Sequence, residues 1–154
     1  MLKPEIPSTG VTTCQNHLFY ISPQNNTLIG FNFSKITHKN ALNYIKCPPP
    51  MALQLDGVQD LASTSTAVYY SKTDHIGSFE IDGDKMGLGD EIKTVFGNLQ
   101  FENNGALLIS KARVILSGFE KKDARNYILI YNHNLEFISE EPFYISKQRN
   151  LTSV

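Results

Sequence analysis

Short apolar runs, each broken by Asn, Asp, Gly, Ser or Pro, follow one another along most of the chain. His17-Leu-Phe-Tyr-Ile-Ser22, Leu28-Ile-Gly-Phe-Asn-Phe33, Thr66-Ala-Val-Tyr-Tyr-Ser71, His75-Ile-Gly-Ser-Phe-Glu-Ile81 and Asn126-Tyr-Ile-Leu-Ile-Tyr131 are of this kind. Runs of ~4–8 residues rich in Val, Ile, Thr, Tyr and Phe between turn-forming residues are the strand signature. Nowhere does the i, i+3, i+4, i+7 apolar spacing of a helix persist for three turns. The pattern predicts an all-β chain.

The runs also repeat. Gly10, Gly57 and Gly105 stand 47 and 48 residues apart, and each opens a similar series of strands and polar turns. A self-similar period of ~20–50 residues marks arrays of one supersecondary unit. The predicted repeats are 10–56, 57–104 and 105–146, within one all-β domain over 1–154. Each holds about four antiparallel strands. The first is small-sided (Gly-Val-Thr-Thr-Cys over 10–14, Gly-Val-Gln-Asp over 57–60), and the second and third are bulkier and joined by a polar hairpin. A wedge-shaped unit needs that grading, narrow inside and wide outside.

Composition narrows the partners. A chain of 154 residues with 41% hydrophobic and 10% aromatic content is suited to a folded core rather than to disorder. Fourteen basic against fifteen acidic residues leave a net charge of −1. That balance gives no bulk attraction to nucleic acid or an anionic membrane. No apolar stretch has the length of a signal peptide's core or a membrane span, so cytoplasmic residence is the expectation. The two cysteines, Cys14 and Cys47, are expected as reduced thiols.

Candidate chemistry is sparse. The stretch Asp82-Gly-Asp-Lys-Met-Gly-Leu-Gly-Asp90 resembles the Asp-x-Asp-x-Asp-Gly-x-x-Asp calcium loop of some propellers. Asp82, Asp84 and Asp90 would be the ligands around Gly87, since Ca²⁺ takes ~6–8 oxygens. Met86 stands in the place of the third oxygen, and a plain Gly/Asp-rich turn is the simpler reading. No other cofactor is implied. Three histidines, His38, His75 and His133, fall in predicted connections, where repeat folds form binding surfaces. Tyr70 and Tyr131, with Tyr20, are the candidate aromatic platforms for a sugar. There is no Gly-x-Ser-x-Gly nucleophile turn and no Gly-x-Gly-x-x-Gly phosphate loop, so the reading leans away from an enzyme.

Taken together, the Gly-led small strands and following hairpins resemble divergent β-propeller blades of the kelch or tryptophan-aspartate kind over roughly residues 10–145. The alternative is a β-trefoil, also three copies of four strands. Propellers close with ~4–8 blades, so the resemblance implies either a homo-oligomer or part of a longer chain. It further implies a non-catalytic, protein-binding scaffold. A glycan-binding or glycan-processing module is the second expectation, because Gly57-Val-Gln-Asp60 is similar to the Gly-x-Glu-Asp motif of sugar-active propellers, with Gln59 in place of the carboxylate. A secreted trefoil-type ligand or inhibitor is the third.

Overall fold

The structure is a computed structural model that describes residues 10–22, 26–39, 44–46, 55–83, 85–96, 99–120 and 125–143. Strands β1 (Val11–Cys14), β2 (His17–Ser22) and β3 (Thr27–Asn32) form a first antiparallel meander. A 3-10 turn over Phe33–Lys35 follows, capped by the Asn32 side chain, which accepts from the Ser34 N–H. Beyond it β4 (Thr37–Lys39) and β5 (Tyr44–Lys46) pair as a separate ribbon. The second sheet runs β6 (Asp60–Ser63), β7 (Ala67–Ser71), β8 (His75–Asp82), with β9 (Lys85–Leu88) and β10 (Ile92–Lys93) both paired to β8. The third sheet contains β11 (Val95–Phe96), β12 (Leu99–Ser110), β13 (Arg113–Glu120), β14 (Arg125–Asn132) and β15 (Phe137–Phe143) in order. No described helix is long and apolar enough to cross a membrane.

Alternation along the strands decides how these sheets stack. Phe19, Ile21 and Leu28 from the first sheet meet Leu61, Val68, Tyr70, Phe79 and Ile81 from the second. The opposite face of the second sheet, with Ala67, Tyr69 and Ile76, meets Leu107, Val114, Leu116, Leu129 and Tyr131 of the third. All five residues of β7 are therefore buried, because both its faces are covered. A strand covered on both sides reads as a continuous apolar run, as Ala-Val-Tyr-Tyr does here.

Strand β6 of the second sheet lies next to β1 of the first and β12 of the third. Thr12 Oγ1 is 2.7 Å from Ser63 Oγ, and the Ser63 hydroxyl donates to the Thr13 carbonyl at 2.7 Å, tying β1 to β6. Asp60 accepts the Leu61 N–H on one oxygen (2.9 Å) and the Leu107 N–H on the other (2.8 Å), tying β6 to β12. Small residues at these positions allow the close approach. Gly57, at φ +74°, makes the left-handed bend that leads into β6. Separate meanders stacked face to face, inner strand beside inner strand, are the arrangement of propeller blades. A trefoil joins its strands into a common barrel, so this alternative is not the fold observed.

Three details depart from the predicted repeats. Residues 41–46, expected as the fourth strand of the first unit, contribute β5 to the ribbon with β4, since the capped turn carries the chain away from β3. Residues 91–96, expected as one strand, divide at buried Thr94, so that β10 joins the second sheet and β11 the third. The first strand of the third unit starts at Leu99 rather than Gly105 and absorbs the extra length through register shifts between Phe101 and Asn103 and between Asn104 and Leu107.

Candidate functional site

The acidic stretch forms the β8–β9 hairpin. Asp82 pairs with Lys85, Ile81 with Met86 and Phe79 with Leu88, and Gly83 takes φ +62° in the turn. Met86, the departure from the calcium pattern, packs against the core of the first two sheets. The Gly89 N–H donates to the Ser78 carbonyl, which places Asp90 at the far end of the hairpin from Asp82. At ~3.3 Å per residue their levels differ by on the order of 16 Å. The fold does not bring these two exposed carboxylates together, and Asp84 lies outside the described residues. Among the described residues no group of three His, Cys, Asp or Glu converges as a metal site.

The histidines are also dispersed. His75 opens β8, with Nδ1 2.7 Å from Asp74 Oδ1. His133 is in the β14–β15 turn, with Nε2 3.1 Å from the Lys111 carbonyl and its own carbonyl accepting the Tyr69 hydroxyl at 2.6 Å. The Asp74 turn belongs to the second sheet and the His133 turn to the third. His38 is on β4, and its side chain lies outside the described residues.

Tyr70 and Tyr131 are buried, not platforms. Tyr70, 1% exposed, spans the second sheet to donate to Glu91 Oε2 at 2.9 Å, and Lys72 Nζ donates to the same oxygen at 2.8 Å. Burial first, then the Glu91 contact, raises the Tyr70 phenol well above its ordinary range. Burial raises Glu91 as well, but the hydrogen bonds from Lys72 and Tyr70 and the nearby Lys72 and His75 charges outweigh it, and the carboxyl ends below its usual value. Tyr131, in the core between the second and third sheets, is pushed up to about 12 by burial. Cys14 is a free, buried thiol, also raised by burial, and Cys47 lies outside the described residues.

A cleft of about 260 Å³ opens between the β1–β2 turn and the β8–β9 turn, lined by Gln15, Asn16, His17, Asn32 and Gly83. Gln15 closes one side by donating from Nε2 to the Ile81 carbonyl at 3.0 Å. Its lining is amide-rich and suits a small ligand with several hydroxyls.

Among the described residues, apolar side chains line up on the outer faces of the first and third sheets. Cross-strand pairing lines up Leu108, Ile115 and Ile130 on the outer face of the third sheet, with Ile128 one step along. Leu108 is 50% exposed, and Ile138, at the register shift in β15, is 46% exposed. On the outer face of the first sheet, pairing lines up Val11, Tyr20 and Ile29, and beside them Thr13, Leu18 and Phe31. Val11 is 62% exposed, and the Tyr20 and Phe31 rings stack at 6.0 Å and 9°. The rows Leu108-Ile115-Ile130, Val11-Tyr20-Ile29 and Thr13-Leu18-Phe31 contain no charged side chain, whereas Ile128 is paired with Glu141. The sequence signal was present in Val114-Ile-Leu116 and Tyr127-Ile-Leu-Ile-Tyr131, which are apolar at successive positions and so apolar on both faces.

No protein-family model and no curated protein matches this sequence. Solved structures do share its arrangement. The computationally designed Ika4 protein superposes with a TM-score of 0.58 at 10% identity, over 97% of this chain and 79% of that one. The computationally designed Ika8 protein gives 0.55 at 12% identity, over 95% of this chain and 39% of its own. The N-terminal domain of Nup159, a β-propeller, gives 0.56 at 12% identity, over 92% of this chain and 38% of its own. The likeness is one of fold, all-β and propeller-like. The chain spans well under half the length of two of these three structures.

Proposed function

We propose that this chain is a non-catalytic interaction module whose partner-binding surfaces include the outer faces of the end sheets. The observation that carries the reading is the uncharged row Leu108, Ile115 and Ile130, paired across adjacent strands and with Leu108 half exposed. Contiguous exposed apolar patches on soluble domains mark contact sites, whereas scattered single residues do not. The frame behind this row is rigid, because the inner face of the same strands is locked into the core with Tyr69 and Ile76. A pre-formed surface loses little entropy on binding.

A photo-crosslinking amino acid placed at Leu108, and separately at Asp82, tests this. Protein adducts at position 108 and none at exposed position 82 are expected. Equal yields at the two positions would overturn the reading.

The amide-lined cleft at Gln15, Asn16 and Asn32 supports a second reading, binding of a glycan of monosaccharide size. Calorimetric titration with a monosaccharide panel checks it, with Asn16→Ala as the control. Heat that persists unchanged in Asn16→Ala would count against the cleft.

A further inference from the structure

We infer that the partner of these faces is a second copy of the chain, bound head to tail, so that the outer face of the third sheet in one copy covers the outer face of the first sheet in the other. The inference rests on the interaction-module reading and names its partner.

The internal junctions set the precedent. Each of the two is one sheet face laid on the next, first on second through Phe19, Ile21, Val68 and Phe79, second on third through Tyr69, Ile76, Leu116 and Leu129. The outer rows continue this series in composition: aliphatic Leu108, Ile115 and Ile130 at one end, and Val11, Tyr20 and Ile29 at the other. Closing one on the other repeats a junction that the chain already makes twice. The rows brought together at the centre carry no charge, in keeping with the depletion of charged groups at interface cores, while Arg113, paired with Asn132, and Glu141, paired with Ile128, flank the row on the third sheet.

Size points the same way. Among the described residues three sheets stack, fewer than the ~4–8 that close a propeller, and two copies of this chain would supply roughly six. The chain covers 38% of the Nup159 propeller chain, so two copies make up most of a framework of that size. Each outer face measures roughly 15 by 20 Å from strand spacing and rise. A closed pair has two junctions and buries four such faces, on the order of 1,200 Å², the lower bound for stable protein interfaces. Closure also matters for specificity. Contacts between unlike faces form open filaments unless the rotation brings the last face back to the first.

Sedimentation equilibrium from 1 to 100 µM tests the proposal. A mass about twice the 17.3 kDa of the chain is expected. Leu108→Lys blocks one face and Val11→Lys the other. Both sites are at least half exposed, so folding should survive, and far-ultraviolet circular dichroism checks it; Ile130→Lys and Tyr20→Lys stand in if either fails. Each variant alone should run as one chain. Mixed in equal amounts, they retain one intact face apiece and should recover a two-chain species.

Pairing of like faces would give a different record. One variant would remain dimeric, mixing would rescue nothing, and the head-to-tail arrangement would be overturned. A wild type that runs as a single chain throughout overturns the second copy. In that case the fluorescent dye anilinonaphthalene sulfonate separates the two readings. Dye binding that falls in Leu108→Lys leaves the interaction surface standing with another partner, whereas no dye binding removes both.

Discussion

The ring of Tyr70 lies across Gly77, its partner on the neighbouring strand, and a Cβ at that glycine would overlap the phenol oxygen. The space that Gly77 leaves open is what lets Tyr70 cross the sheet and reach Glu91. Gly77→Ala should therefore destabilise the fold by about 1–3 kcal/mol, the usual cost of overpacking a core. Tyr70→Phe keeps the ring and removes only the hydrogen bond to a carboxylate, with an expected cost of about 1.5–3 kcal/mol. Urea unfolding of both variants and of the double variant checks the geometry. Additive losses would mean that the two residues do not act on each other.

Asp60 serves two sheets at once. Asp60→Ala leaves the Leu61 and Leu107 N–H groups without their carboxylate, and about 1–3 kcal/mol is expected for each buried donor left unsatisfied. Thermal unfolding should show the loss, whereas Gln59→Ala next to it, which removes only an exposed bond to Thr73, should change little.

The acid limb of the stability curve should carry two opposing contributions. Burial raises the Asp60 carboxyl above its ordinary 3.8, against the opposing hydrogen bonds from Leu107 and Leu61. Its contribution is fully present below the unfolded value and lost as pH rises through the folded one. Glu91 is lowered below 4.5, the Lys72 and Tyr70 contacts prevailing over burial, so its contribution is present above the unfolded value and lost as pH falls through the folded one. Between pH 6 and pH 3 the wild type should gain on Asp60→Asn and lose ground to Glu91→Gln. Urea midpoints across that range measure both slopes, and a reversed sign in either would refute the corresponding assignment.

Calcium at millimolar concentration should leave the melting temperature unchanged, because the β8–β9 hairpin holds Asp82 and Asp90 at its two ends. A rise that disappears in both Asp82→Asn and Asp90→Asn would show that the hairpin rearranges around the ion.

Much of this architecture was legible in the chain. The apolar runs His17–Ser22 and Thr66–Ser71 give the strands, since strand character depends on local composition and period, whereas the covering of both faces of Ala67–Ser71 depends on the neighbouring sheets. The hairpin at Asp82–Asp90 was not legible. Its glycines and carboxylates have turn propensity, and only the cross-strand partners Phe79 and Ile81 recruit Leu88 and Met86 into a strand. The division of 91–96 between two sheets was hidden for a similar reason, because it depends on Thr94 being held by the distant Asp74 carbonyl. Tyr70 and Tyr131 read as platforms in the sequence because it shows an aromatic residue but not which side of a sheet is covered.

The double coverage of β7 has a consequence for how the molecule opens. Its amides can exchange with solvent only after the first or the third sheet has let go, so protection there should track the whole fold's free energy, while β1 and β15 fray at far lower cost. The middle sheet cannot loosen independently of its neighbours. Cutting away either end would expose one of its apolar faces and turn the most protected strand into an aggregation-prone one.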